Sequence, residues 1–462
     1  MEMEMEMEME MEMQLQKRKT AEANIVTVLK TTGHMTELQA LKSFEFMERL
    51  YREVRKPNGG KIYLSAAANT SFLRLVDAVV EYLPSKKLVG GDDIFRACKA
   101  VVGKLCEEGL RKLDIESFIY AVEEVIKATT NTHRFYTTLD GLKFVDFTEL
   151  RIGRLTIQSP DLAILQGSEA HPETRDRLWK RVDTALWMTQ DITGSHEECE
   201  LLFFESVRSV CGLLSLSFTM AAEWGANGIR LTPCMENRAR PSTSSWFSFP
   251  TNSKVLCVSS SWKGIQVLPL KNIVATDLLD RDWFQNLTRI IQGDGLTDVE
   301  QAVRRGVYWF FDAQLDTSLE MQMVKFWSCI ECIFSFTGEK TTKSIRDGMT
   351  GMLILGGYKL VDVKDKRILR KEIKRLYELR CGAVHDAKHN HVTERDVTTV
   401  SKWAAWVMIE VASLAAAGVQ TRAEIKIQTD YWFELLQEQG TAAKANEKCP
   451  TCGSLIQDES ST

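Results

Sequence analysis

Leu369-Arg370-Lys371-Glu372-Ile373-Lys374-Arg375-Leu376-Tyr377-Glu378-Leu379-Arg380-Cys381-Gly382-Ala383-Val384-His385 is the stretch on which the reading of this chain turns. Leu369, Ile373, Leu376 and Tyr377 recur at helical spacing and define one apolar face. Arg380 continues that face, one helical step beyond Leu376. A guanidinium on a buried stripe is costly unless it is paired or opens into a cleft. His385 follows Arg380 at i+5, and in an unbroken helix residues so spaced point about 140° apart. Gly382 between them permits the helix to loosen or end, so His385 is expected to fold back beside Arg380.

Working outward, the chain beyond Thr297 reads as helix throughout, with segments expected at 298–312, 318–335, 342–355, 364–380, 393–416 and 423–438. Gly338, Gly356-Gly357 and Gly382 lie between or at the ends of these segments, where left-handed caps favour glycine. Short connections between long amphipathic helices imply an antiparallel helical bundle over 296–440. Residues 441–462 form a tail with a Cys-x-x-Cys knuckle.

Toward the N-terminus, residues 1–13 alternate Met and Glu, a low-complexity repeat that builds no core and is expected to be disordered or loosely helical. Residues 14–133 read as a mainly helical domain: Leu38, Leu41, Phe44, Phe46, Met47 and Leu50 form one stripe, and Cys98, Val101, Val102, Leu105 and Cys106 another. Lys56-Pro57-Asn58-Gly59-Gly60 and Gly90-Gly91-Asp92-Asp93 read as turns, and Asp114 starts a further helix. Residues 134–295 mix types, with strands at 142–144, 150–152 and 155–157 and helices at 176–188 and 197–220. A loop over 238–254 precedes two more strands at 255–258 and 265–268. No catalytic spacing stands out in this middle region. The expected fold class is therefore multidomain and mainly α, with a mixed α/β middle region and a C-terminal antiparallel bundle.

Bulk composition sets limits. The chain has 462 residues, 44% hydrophobic and 26% charged, enough for several globular domains. Its net charge of -5 excludes a generic polyanion binder, so nucleic acid must meet a local basic surface. No basic-then-apolar leader is visible, no apolar run is expected to reach bilayer length, and the eleven cysteines are scattered through apolar patterns. That usage suits reduced thiols and a cytoplasmic location.

Arginine and histidine together suit cleavage of RNA without a metal. A histidine titrating near neutrality transfers protons, and an arginine fork holds phosphate oxygens. The segment from Lys359 to Lys388 carries net +5 against the overall -5, and Lys371, Lys374, Arg375 and Lys388 are its candidate RNA contacts. A solvated helix face explains the same charges more plainly.

Tyr377-Glu378-Leu379-Arg380-Cys381-Gly382-Ala383-Val384-His385 resembles the Arg-x4–6-His signature of HEPN domains, with the Tyr-x-x-Arg lead-in of the Apea-like group. Phe326-Trp327-Ser328-Cys329-Ile330-Glu331-Cys332-Ile333-Phe334 is similar to that group's apolar helix with an internal glutamate. The resemblance covers about a quarter of the chain, in line with one domain. It implies a metal-independent endoribonuclease of stress or anti-phage defence, working as a homodimer with two Arg/His motifs across one cleft. Arg380 would stabilise phosphate, His385 would move protons and Glu331 would orient Arg380. Cys381 departs from the pattern, since the family often has a polar residue there. The remainder of the chain would sense a cellular or phage-derived trigger. A catalytically silent module that binds RNA, nucleotide or protein is the alternative, with Arg380 and Glu331 as an ion pair between helices.

No cofactor is expected for catalysis. Cys449 and Cys452 match half of a structural zinc site, for which Cys329 with Cys332, His389 with His391, or a second subunit could supply the other ligands. Trp403 and Trp406, with Val407, Ile409, Ala412 and Leu414, make an apolar surface for the core or for a subunit interface.

Overall fold

The computed structural model describes residues 2–169, 171–221, 230–235, 245–248, 257–260, 267–336, 341–389 and 391–445. The chain divides into two compact units, one formed by Met1–Phe135 with Asp191–Phe203, the other by Tyr136–Gln190 with Phe204–Thr462. Helix dominates both, and strands concentrate in the middle of the chain.

In the first unit, α1 (Glu2–Leu29) includes the Met-Glu repeat, and among its described side chains Ala21, Ile25, Val28 and Leu29 enter the core. The apolar stripe of residues 38–50 forms two short helices, α2 (Glu37–Ser43) and α3 (Phe46–Arg52), and does not build core. Leu38, Phe46 and Met47 are 63%, 64% and 72% exposed, so regular spacing here marks a surface face. The turn at Lys56–Gly60 joins two strands that pattern alone did not show, β2 (Glu53–Arg55) and β3 (Lys61–Leu64), with β1 (His34–Met35) on the other side of β3. Three helices complete the core: α4 (Ala66–Tyr82), α5 (Gly91–Glu107) and α6 (Ile115–Thr129). Gly90-Gly91-Asp92-Asp93 is the start of α5, where the Gly90 N–H donates to Asp93 Oδ2 at 3.2 Å. Asp114 caps α6 by accepting from the Ser117 N–H at 2.7 Å.

The mixed region contains a five-stranded sheet in the order β6-β7-β8-β4-β9. Its strands are β4 (Asn131–Asp140), β6 (Glu149–Ile152), β7 (Leu155–Gln158), β8 (Leu186–Gly194) and β9 (Thr232–Pro233). β5 (Leu142–Phe144) pairs in parallel with β12 (Leu268–Leu270), and β10 (Ser245–Ser248) pairs antiparallel with β11 (Cys257–Ser260). Three expectations need correction. The helix expected over 176–188 is α8 (Pro172–Val182), which stops at Asp183, and residues from Leu186 belong to β8. Trp187 and Met188 are buried in strand pairing, and an apolar pair alone cannot distinguish that from a helix face. The strands expected at 255–258 and 265–268 are shifted by two or three residues where described, the expected 238–254 loop holds strand β10 at 245–248, and the rest of those spans lies outside the described residues.

Between these lie α7 (Leu162–Gln166) and, after β8, α9 (His196–Ala221). The 25-residue span His196–Met220 of α9 is long and apolar enough to cross a membrane by length and composition, an exception to the expectation that no such run exists. Its most apolar window is 61% buried within the fold, as a core helix would be.

The remaining helices are α10 (Asn272–Leu279), α11 (Asp282–Gln292), α12 (Asp298–Leu315), α13 (Leu319–Phe334), α14 (Thr341–Leu355), α15 (Lys366–His385), α16 (Glu394–Ala416) and α17 (Arg422–Ala445). The six segments expected beyond Thr297 all occur, and α12, α13 and α16 begin at side-chain N-caps. Thr297 with Glu300 and Thr393 with Asp396 form reciprocal capping boxes. Helix α16 is the centre, packed by α11, α12, α13 and α14, while α15 lies on α13 and α14. Its residues Trp403, Val407, Ile409 and Ala412 are buried and belong to the core, while Trp406 and Leu414 are half-buried.

Candidate active site

Arg380 and Glu331 come from adjacent helices, α15 and α13. Arg380 Nη2 donates to Glu331 Oε2 at 2.9 Å, and the side chains are only 17% and 18% exposed. Tyr377, one turn earlier on α15, donates its hydroxyl to Glu331 Oε1 at 3.2 Å. Both carboxylate oxygens are thus engaged. Trp327 on α13 meets the Tyr377 ring edge-on at 5.2 Å, and the Arg380 guanidinium lies 5.7 Å from the same ring. Burial, reinforced by the Glu331 carboxylate, pushes the Tyr377 phenol up to about 12, so it remains a neutral donor. Arg380 Nε and Trp327 Nε1 are shielded and have no hydrogen-bond partner. Tyr377 entered from the sequence as an apolar-face residue and as the Tyr-x-x-Arg lead-in; that its hydroxyl binds Glu331 was not foreseen.

His385 does not fold back beside Arg380. Helix α15 runs unbroken through Gly382 to His385, so the two side chains project from different sides. Gly382 is a buried helix-interior residue facing Lys388 and His391, and the helix stops after His385. There the N–H groups of Asp386 and Lys388 both donate to the Gly382 carbonyl, and Ala387 takes φ +49°. His385 is exposed.

The candidate RNA contacts separate into two kinds. Lys371 and Lys374 are exposed on the outer face of α15, and with Arg367 they fall within about 40° of His385 around the helix axis. Lys374 has Glu378 at 3.6 Å, a loose surface pair. Lys388 lies beyond the helix end, 3.0 Å from Asp386. Arg375 is committed elsewhere, bridging Glu372 at 2.6 Å and Asp396 at 2.5 Å. Asp396 is the buried half of the α16 capping box; burial would raise its carboxyl, but hydrogen bonds from Thr393 and Arg375 outweigh that and hold it low. Arg375 therefore ties α15 to α16. Arg367 belongs to the same ridge and was recognisable only once the helix phase was fixed.

No protein-family model matches the chain, and comparisons with curated proteins and with solved structures give no match.

The zinc donors considered from the sequence are not brought together among the described residues, where no group of three or more His, Cys, Asp or Glu could hold a metal. Cys329 is fully buried, its thiol raised by burial and donating to the Lys325 carbonyl at 3.3 Å. His391 Nε2 donates to the Leu379 carbonyl at 3.0 Å, and His389 is exposed. Cys449 and Cys452 lie outside the described residues.

Proposed function

We propose that the chain is a metal-independent endoribonuclease of the HEPN type, acting as a homodimer in the cytoplasm and serving stress or anti-phage defence. The observation that carries this reading is a half-buried Arg380, oriented by Glu331 and Tyr377, on the same helix as an exposed His385 that ends a basic ridge. Because the two side chains leave α15 in different directions, the reacting phosphate meets Arg380 from one copy and His385 from the other. The site is composite.

In the reaction, a base removes the proton of a ribose 2′-hydroxyl, whose oxygen attacks the adjacent phosphorus. The 5′ oxygen leaves with a proton, giving a 2′,3′-cyclic phosphate and a 5′-hydroxyl. His385 performs proton transfer. Arg380 neutralises charge growing on the phosphate, because its fork has donors beyond the one given to Glu331. Lys371, Lys374 and Lys388 hold flanking phosphates, and Arg375 contributes support more than contact. No metal enters these steps, and a zinc on Cys449 and Cys452 would be structural. The residues before Thr297 would receive the trigger.

One observation favours a second reading. The Arg380–Glu331 pair also bridges two packed helices, as a purely structural pin would in a silent RNA-binding module. End-group analysis tests the nuclease reading: cleaved RNA should carry cyclic phosphate and 5′-hydroxyl ends. Products with 5′-phosphates would contradict it. Mixing Arg380→Ala and His385→Ala copies should restore part of the activity that each lacks, as a composite site requires.

A further inference from the structure

A cavity of about 410 Å³ lies between the β6–β7 turn and helix α11, away from Arg380 and His385 in the chain. It is within the size range of small-molecule pockets, roughly 300–1,000 Å³. Three arginines line it, Arg151, Arg154 and Arg289, and no lining residue is acidic, although the whole chain carries -5. The turn is rigidly held. Gln292 Nε2 donates to the Ile152 carbonyl at 2.8 Å, and Gln292 Oε1 accepts from the Arg154 N–H at 2.9 Å. Gly153 sits at φ +59°, and a Cβ there would lie 1.8 Å from Gln292 Oε1, so only glycine lets the turn and the glutamine meet this closely.

The arginines differ in their commitments. Arg289 is fixed at the rim by Glu300 at 2.6 Å, a carboxylate that also accepts from Thr297 in the α12 capping box. Arg151 bonds only the Gly153 carbonyl, at 3.1 Å, and Arg154 has no carboxylate partner among the described residues. Thr288, which also lines the cavity, has a hydroxyl shielded from solvent with no hydrogen-bond partner. An unmet hydroxyl beside unneutralised guanidiniums is the arrangement that a phosphate oxygen satisfies. Ile152, Leu279 and Phe284 supply the apolar side, which suits an organic phosphate better than bare phosphate.

We infer that this cavity binds a phosphate-bearing small molecule of nucleotide size, with Arg151, Arg154 and Arg289 on its phosphates and Thr288 donating to one of their oxygens. The inference does not depend on the nuclease reading, since none of these residues belongs to that site. A ligand here would rest against α11, which packs on the central helix α16.

Calorimetric titration of the full chain with ADP tests this, alongside Arg151→Ala/Arg154→Ala, Thr288→Val and, as a surface control, Arg18→Ala. The wild type and control should bind ADP saturably. The double variant should bind at least ten-fold more weakly, and Thr288→Val, which keeps the side-chain shape, several-fold more weakly. Binding should weaken as salt rises. Absence of saturable ADP binding to the wild type would overturn the inference, including the case in which long RNA binds and ADP does not. Unchanged affinity in the folded double variant would overturn it equally.

Discussion

Arg380 shows how one side chain can serve two purposes that experiment can separate. Its pair with Glu331 is largely enclosed, so Arg380→Ala leaves a carboxylate with one fewer donor beside Tyr377 and Trp327. Loss of one member of a fully buried pair costs about 3–5 kcal/mol, and the residual exposure here lowers the expectation to about 2 kcal/mol. His385 is exposed, and His385→Ala should shift stability by less than about 0.5 kcal/mol. Urea denaturation of both variants checks this contrast, and a matching loss from His385→Ala would assign that residue to the fold. On the ridge, Lys371→Glu with Lys374→Glu should weaken RNA binding and flatten its salt dependence, read by titration at several salt concentrations. Equal salt slopes would move the RNA surface elsewhere. Some of this was legible in sequence: the Arg380–Glu331 pairing follows from a charge on each of two apolar helix faces. The direction of His385 was not, because whether a glycine breaks a helix or permits close packing depends on what lies against it, here Lys388 and His391.

At the scale of elements, the C-terminal helices were readable from apolar periodicity and the glycines between them, and two of them carry N-terminal signatures as well. Thr297 and Thr393 lie at N-caps with an acid three residues on. The strands β2, β3, β4 and β8 were not readable, since their pairing is settled by residues distant in sequence and short apolar runs fit either type. Helix contacts make sharper predictions than periodicity does. A Cβ on Gly351 in α14 would lie 2.8 Å from the Thr429 carbonyl of α17. Gly351→Ala should therefore destabilise by about 1–3 kcal/mol in urea melts, despite alanine's better helix propensity. Glu410 makes a pH prediction. From the core helix α16 it accepts the Gly357 N–H at 2.7 Å, and burial raises its carboxyl above the ordinary range despite that bond. A carboxyl raised on folding contributes its stability below the ordinary value of 4.5 and loses it as pH climbs through the raised value. Relative to Glu410→Gln, the wild type should thus lose stability between pH 4.5 and neutrality, and a constant difference across that window would contradict the assignment.

In the whole molecule, the embedded Arg/Glu/Tyr cluster, the basic outer ridge and the separate arginine-lined cavity all lie in one compact unit. A composite site demands two copies, so sedimentation velocity of the active protein should give a dimer, and activity confined to monomer would refute that geometry. The most direct test of the central claim is incubation of the purified chain with total RNA and tRNA in EDTA, beside Arg380→Ala and His385→Ala. Cleavage by the wild type alone is the expected result. Equal cleavage by all three proteins, or intact RNA with the folded wild-type dimer even when expression of the chain is harmless to cells, would contradict it.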